Sequence, residues 1–115
     1  MNTKVQFRMR IYQAEGIAIG PGKVALLEAI AETGSISAGA RQLGMSYRRA
    51  WVLVDEVNKA LSAPAVNTAT GGAHGGGASL TAIGKELVQH YRAAEDVSRL
   101  AAAEHIAAMT RLLAS

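Results

Sequence analysis

The spacing of glycine and serine in the centre of the chain is the sequence feature that most restricts its fold. It predicts two helical segments joined by a tight turn. The first segment covers residues 37–43 and ends at Gly44. Ser46 then caps a longer helix over about residues 47–61, because its hydroxyl can accept a hydrogen bond from a free backbone N–H. Two helices joined in this way are typical of a helix-turn-helix motif.

A helix and a strand are predicted on the N-terminal side of this motif. Pro21 begins a helix that runs to about Glu32 and stops near Gly34. Residues 4–12 alternate apolar and polar side chains, which predicts a strand with one buried face. The expected inner face consists of Val5, Phe7, Met9 and Ile11, and the outer face of Lys4, Gln6, Arg8 and Arg10.

A β-hairpin and a long helix are predicted on the C-terminal side. Residues 65–70 and 78–80 read as strands that flank a glycine-rich tip, 71–77. Thr81 caps a final helix that could run to Ser115, roughly 45 Å, which is longer than so small a domain can cover. We expect this helix to pack on a second copy; the alternative is a break near residues 101–103 followed by a frayed tail. The predicted dimerisation residues are Ile83, Leu87, Tyr91, Ala94 and Val97.

The predicted fold is mainly α with a small β-sheet: a winged helix-turn-helix with an N-terminal strand and a long C-terminal dimerisation helix. We expect one domain over residues 1–115, with the strand, motif and wing in 1–80 and the dimerisation helix in 81–115. Hydrophobic residues make up 50% of the chain but aromatic residues only 4%, so the core should be thin. No apolar run is long enough to span a bilayer, and the chain has 0 cysteines, so we expect no membrane partner and a cytoplasmic protein.

The start of the helix at Ser46 is the candidate functional site. Arg48 and Arg49 lie in its first turn, where a cation opposes the helix dipole by roughly 0.3–1 kcal/mol. Two such cations indicate an anion nearby, and an arginine can bind guanine or a phosphate. Tyr47 could donate to a phosphate or stack on a sugar. The alternative is a solvated first turn, and we predict that Trp51 belongs to the core.

No catalytic or metal site is expected. The three histidines, His74, His90 and His105, lie far apart in the sequence and have no cysteine beside them. Gly84 and Lys85 are followed by Glu86, so the glycine-rich region is not a nucleotide-binding P-loop. We predict a protein that is not an enzyme and has no cofactor.

Four segments of the chain resemble the N-terminal DNA-binding domain of ModE-type molybdate-responsive regulators, a winged helix related to the LysR type. The segments are Gly34-Ser-Ile-Ser37, Gly44-Met-Ser-Tyr-Arg-Arg-Ala-Trp51, Thr70-Gly-Gly-Ala-His-Gly-Gly-Gly77 and Leu80-Thr-Ala-Ile-Gly84. The resemblance covers about residues 5–95. It implies a bacterial or archaeal transcription factor that binds a palindromic operator as a homodimer, with a link to molybdenum metabolism.

The resemblance also implies which residues contact DNA. It places Ser35 and Ser37 at the start of the first motif helix and residues 46–49 at the start of the recognition helix. The implied DNA-binding residues are Ser35, Ser37, Ser46, Tyr47, Arg48, Arg49, Thr70, Gly71, Gly72 and His74. The wing has no lysine or arginine between Asn67 and Ser79, so its contacts are expected to use backbone N–H groups. The chain ends at Ser115, and we therefore expect no effector-binding domain.

The function predicted from the sequence is a sequence-specific DNA-binding transcriptional regulator, with double-stranded DNA and a second copy of the chain as partners. One alternative is an interaction module that dimerises with a larger regulator and modulates it. Another is non-specific architectural DNA binding, which the small formal charge of +3 disfavours.

Overall fold

The computed structural model describes residues 2–69 and 77–114. Helices surround a small core, and two antiparallel hairpins flank them. None of the helices in these two ranges is both long and apolar enough to cross a membrane. The elements in chain order are β1 (Ile11–Gln13), β2 (Gly16–Ile19), α1 (Pro21–Thr33), α2 (Ile36–Gln42), α3 (Tyr47–Ala60), β3 (Val66–Ala69), β4 (Gly77–Leu80), α4 (Ala82–Ala101) and α5 (Ala103–Arg111).

The core lies where α1, α2 and α3 meet the second hairpin. Ala40 of α2 and Ala50 of α3 are 2% and 0% exposed, and small side chains at these positions let the two helices cross closely. The largest fully buried side chains come from α1 and α3 and are Leu26, Leu27, Ile30, Val24, Val54 and Val57. Helices with this arrangement confirm the predicted helix-turn-helix.

A serine caps the start of α2, and glycines follow the ends of α1 and α2, close to where the sequence predicts. Ser35, and not Ser37, caps α2, since its Oγ accepts a hydrogen bond of 2.9 Å from the backbone N–H of Ala38. Gly34 after α1 and Gly44 after α2 have φ values of 78° and 68°. This left-handed conformation is readily adopted by glycine and explains why glycine ends both helices.

The N-terminal strand differs from the prediction. Only Ile11–Gln13 is a strand, and it forms a hairpin with β2, while residues 2–10 have no regular secondary structure. They run instead along the C-terminal helices, where the hydroxyl of Tyr91 donates a 2.8 Å hydrogen bond to the carbonyl oxygen of Met9. The expected buried face is also not formed, since Val5, Met9 and Ile11 are 42%, 40% and 47% exposed in the single chain.

The C-terminal region has the break that the alternative predicted, but not the frayed tail, because α5 follows the break and runs to Arg111. The helix is interrupted at Ala102, which ends α4 and begins α5, and so is not continuous to the end of the chain. The first part of α4 packs on the core and lies very close to the loop before β3. A Cβ added to Gly84 would be 2.3 Å from the carbonyl oxygen of Ala65, so only glycine fits there.

Candidate nucleic-acid interface

The start of α3 is an exposed helix end with two cations. The Oγ of Ser46 accepts a 3.0 Å hydrogen bond from the backbone N–H of Arg49, which satisfies one of the free N–H groups of the first turn. Tyr47 is 56% exposed, and Arg48 and Arg49 are exposed as well. The predicted cap is therefore present, and neither guanidinium is buried in the body of the protein.

The two guanidinium groups have no anionic partner within residues 2–69 and 77–114. The ion pairs found in these ranges involve other cations. Unpaired cations in the first turn of a helix are unfavourable, and an external anion would relieve this. The helix end can therefore accept phosphate oxygens or the acceptor groups of a base.

The side chains of this first turn face two different clefts. Arg49 lines a cleft of about 760 Å³ between α3 and the β1–β2 hairpin, which Arg10 also lines. Tyr47 and Trp51 line a second cleft, of about 520 Å³, between α3 and the β3–β4 hairpin. We call the first the hairpin cleft and the second the wing cleft.

The hairpin cleft carries both signs of charge. Its wall includes Glu15 and Glu56 as well as the arginines. Lys23 is only 8% exposed; its Nζ donates to the carbonyl oxygen of Ile17 and lies 3.5 Å from a carboxylate oxygen of Glu56. Lys23 thus ties β2 to α1 and α3 and fixes the position of the hairpin.

The wing cleft has a different composition. Trp51 contributes its ring from α3, Thr68 and Ala69 come from β3, and Ala78 comes from β4. Ser37 contributes from α2. Among the described residues that line this cleft none is charged, and most of the lining atoms are carbon.

The prediction that Trp51 belongs to the core is wrong. Its side chain is 38% exposed and is absent from the cluster of side chains that pack around the core. It contacts Tyr47, with the two ring centroids 6.2 Å apart and the planes at 82°. The i, i+4 spacing of these two aromatic residues could have indicated that they share an exposed face.

The predicted contact residues outside α3 divide into two groups. Ser35 is half-buried at its cap, and Ser37 is exposed beside it at the edge of the wing cleft. The predicted wing residues Thr70, Gly71, Gly72 and His74 lie outside the described residues. The strands below them are in place, with Ala69 of β3 opposite Gly77 of β4.

The predicted dimerisation residues lie at increasing distance from the core. Ile83 and Leu87 are half-buried, and Leu87 packs against the core. Tyr91 is 2% exposed within a single chain, so its side chain is not available to a second copy. Ala94 is half-buried, whereas Val97 is 65% exposed.

The apolar surface continues beyond the predicted residues. Leu100 on α4 is 78% exposed, and Leu112, which directly follows α5, is 84% exposed. The exposed apolar side chains of this region, which we call the apolar flank, are Val5, Met9, Val97, Leu100, Met109, Leu112 and Leu113.

Comparison with known proteins identifies the family. Residues 22–85 match the family described as bacterial regulatory helix-turn-helix protein, lysR family, and this range includes α1, α2, α3 and the second hairpin. The chain is 48% identical over 85 residues to the molybdenum-pterin-binding protein MopB of Rhodobacter capsulatus, covering 74% of this chain and 32% of that protein.

Two further relatives carry the name ModE. The chain is 46% identical over 71 residues to the DNA-binding transcriptional dual regulator ModE of Escherichia coli K12, covering 62% of this chain and 27% of that protein. It is 38% identical over 93 residues to the molybdenum transport protein ModE of Azotobacter vinelandii, covering 81% and 34%. The chain therefore spans about a third of the length of these relatives.

The family match covers the elements that carry the exposed cations and the wing strands. The chain therefore belongs to the lysR family of bacterial regulatory helix-turn-helix proteins, and its winged helix-turn-helix is a DNA-binding domain of the ModE type.

Proposed function

We propose that this chain is a sequence-specific DNA-binding transcriptional regulator, with the start of α3 as its reading surface and a homodimer as its active form. The observation that carries the proposal is the capped, exposed end of α3, where Arg48 and Arg49 have no anionic partner in the described part of the chain. A helix of this kind enters the major groove with its N-terminal residues against the base edges.

The proposed roles follow from the chemistry of each side chain. Arg48, which is exposed in the first turn of α3, is the candidate for bidentate contact with guanine O6 and N7. Arg49 faces the hairpin cleft and, together with Arg10, is placed to contact backbone phosphates. Ser37 and the predicted wing residues would add neutral contacts to the backbone.

The homodimer is supported by the apolar flank. Five exposed leucine and valine side chains, Val5, Val97, Leu100, Leu112 and Leu113, lie on α4, in the N-terminal segment or directly after α5. Burying this surface against a second copy would place two recognition helices on one face of a duplex, roughly 34 Å apart, as a palindromic operator requires. An interaction module that pairs with a larger regulator would use the same surface.

A link to molybdenum metabolism is supported by the names of the relatives, which describe molybdenum-pterin binding and molybdenum transport. The proposal includes no cofactor and no enzymatic activity for this chain. The relatives are named as regulators and molybdenum-pterin-binding proteins, and none of these names is that of an enzyme.

The test of the proposal begins with selecting duplexes from a random DNA pool with the wild-type chain. Fluorescence anisotropy then gives the affinity of a selected duplex for the wild type and for the double variant Arg48→Ala, Arg49→Ala. Loss of two charged contacts is expected to weaken binding about a hundredfold or more and to reduce the salt dependence.

A charge-matched control separates position from net charge. The double variant Arg99→Ala, Arg111→Ala removes two arginines from the C-terminal helices and is expected to keep most of the affinity. The proposal fails if the wild type selects no sequence, or if the Arg48 and Arg49 variant binds as tightly as this control. Circular dichroism of both variants checks that the fold is intact.

A further inference from the structure

Trp51 is exposed on the functional face with no structural reason to be there. It is 38% exposed, lies outside the core cluster and is flanked by Tyr47, itself 56% exposed. Two large aromatic side chains in water lose the free energy that burial would supply. The arrangement indicates that something apolar covers them in the bound state.

We propose that the wing cleft binds the sugar–phosphate backbone of one DNA strand, with Trp51 packed against a deoxyribose. The inference rests on the proposed function and adds to it a specific occupant for the cleft. It also assigns Trp51, which the sequence indicated as a core residue, to the binding surface.

Geometry supplies the first argument. The wing cleft separates α3 from strands β3 and β4. When a recognition helix lies in the major groove, the sugar–phosphate backbone of a DNA strand runs along each side of it. A wing beside α3 must therefore lie across that strand, and the strand must pass through the cleft between them. The cleft, of about 520 Å³, is large enough to receive a nucleotide backbone unit.

The lining supplies the second argument. A deoxyribose presents C–H groups, and an indole ring and the Cβ atoms of Ala69 and Ala78 are suitable apolar contacts. The exposed hydroxyls of Ser37 and Thr68 can donate to phosphate oxygens on either side of the sugar.

Charge supplies the third argument and distinguishes the two clefts. None of the described residues that line the wing cleft is a carboxylate that would repel a phosphate, and the residue that follows Tyr47 on α3 is the exposed Arg48. Glu15 and Glu56 line the hairpin cleft, so this cleft can take single phosphates at Arg49 and Arg10 but is the poorer site for a continuous strand.

The first experiment uses intrinsic fluorescence of the unmodified protein. The chain has 1 tryptophan, so its emission reports on Trp51 alone. Labelled duplex, selected from a random pool, is titrated with protein while anisotropy confirms binding. We expect the emission of Trp51 to shift or be quenched, and acrylamide quenching to fall. Unchanged emission and unchanged acrylamide access in a saturated complex would overturn the inference, whereas absence of any anisotropy change would instead overturn the proposed function.

The second experiment tests the contact with sugar. Hydroxyl radicals cleave DNA by attacking exposed deoxyribose, so a covered sugar gives a gap in the cleavage pattern. At equal saturation we expect Trp51→Ala to restore cleavage at one or two nucleotides in each half-site. We expect Trp51→Phe to restore it less, because a ring remains.

Val52 offers a matched control. It is the next residue on α3 and is 43% exposed, but it does not line the wing cleft. Val52→Ala should leave the sugar protection unchanged. Trp51→Ala should weaken binding about tenfold, the loss expected when about 50 Å² of apolar surface is no longer buried. Its salt dependence should equal that of the wild type, because no charge is removed. An unaltered cleavage pattern for Trp51→Ala, or a reduced salt dependence, would contradict the sugar contact.

Discussion

The guanidinium of Arg92 on α4 forms a bidentate ion pair with the carboxylate of Glu28 on α1. Its Nε donates to Oε2 of Glu28 at 2.9 Å, and a second nitrogen donates to Oε1. The same guanidinium pairs with Glu95 at 2.7 Å and lies 5.7 Å from the ring centroid of Tyr91. These contacts raise the pKa of Arg92 further above its ordinary range, chiefly through its hydrogen bonds to Glu28 and Glu95. The pair joins the scaffold of the DNA-binding motif to the helix that carries the apolar flank.

A double-mutant cycle measures this connection. We expect Arg92→Ala and Glu28→Gln to show a coupling free energy of about 0.5–1 kcal/mol in urea unfolding, a value kept small because both side chains are more than a third exposed. The Arg99–Asp96 pair on α4 is the control, since it is more exposed and joins no second element. Equal coupling in the two cycles would show that the Arg92–Glu28 pair adds no more to stability than the exposed control pair.

The hydroxyl of Tyr91 makes stability depend on alkaline pH. Burial raises the pKa of Tyr91, so the folded chain holds the phenolic proton more tightly than the unfolded chain. This difference in pKa adds to the free energy of unfolding. The contribution is fully present below the pKa of about 10 that Tyr91 has in the unfolded chain, and it is lost as the pH rises through the higher pKa of the folded chain. Thermal unfolding from pH 7 to pH 11 should therefore show a decline that begins near the upper part of this range.

Tyr91→Phe isolates this contribution. At neutral pH the variant should be less stable by about 1 kcal/mol, because the hydrogen bond to the carbonyl oxygen of Met9 is lost. Its alkaline decline should be shallower than that of the wild type. Asp55 raises the pKa of Lys59 in both proteins, so that contribution cancels in the comparison. Parallel pH curves for the two proteins would contradict this assignment.

The approach of α4 to Ala65 makes Gly84 a position that tolerates no side chain. Gly84→Ala places a Cβ 2.3 Å from the carbonyl oxygen of Ala65, and the backbone must move. We expect destabilisation of about 2–3 kcal/mol. Gly22→Ala is the control, because a Cβ at that position of α1 meets nothing within 4 Å and should be neutral or stabilising. Similar stability of both variants in urea unfolding would exclude the close approach.

The apolar flank is expected to hold two copies together. Val97→Glu with Leu100→Glu would bury carboxylates in the proposed dimer and should convert it to monomers without altering the core. Analytical ultracentrifugation measures the masses. Tyr12→Glu is the control, because Tyr12 is 64% exposed but lies on the first hairpin. A monomeric wild type would contradict the homodimer and favour pairing with a different regulator.

Local rules predicted the centre of the fold well. The side-chain cap of Ser46, the glycine ends of α1 and α2 and the small residues at the helix crossing each act within a few residues, so their pattern is readable in the sequence. The exposed end of α3 followed from the same local pattern. The family resemblance then added the identity of the wing.

Contacts between distant residues could not be predicted in the same way. An alternating pattern in residues 4–12 does not reveal whether the partner is a strand or a helix, and α4 and α5 proved to be the partner. The apolar residues at helical spacing on α4 do not reveal which of them pack on the chain's own core and which face a partner. Tyr91, predicted to face a second copy, is instead buried in the single chain. Trp51 was misplaced for the same reason: its position on α3 was clear, but the wing cleft depends on β3 and β4.

The hydrogen bond between Tyr91 and Met9 joins residues that are 82 positions apart. During synthesis, the leading segment leaves the ribosome long before its docking helix exists. It can dock there only after α4 has been made. An affinity tag placed before residue 4 would therefore disturb the contact between the N-terminal segment and the C-terminal helices. A tag after α5 would disturb the same contact, because α5 forms part of it.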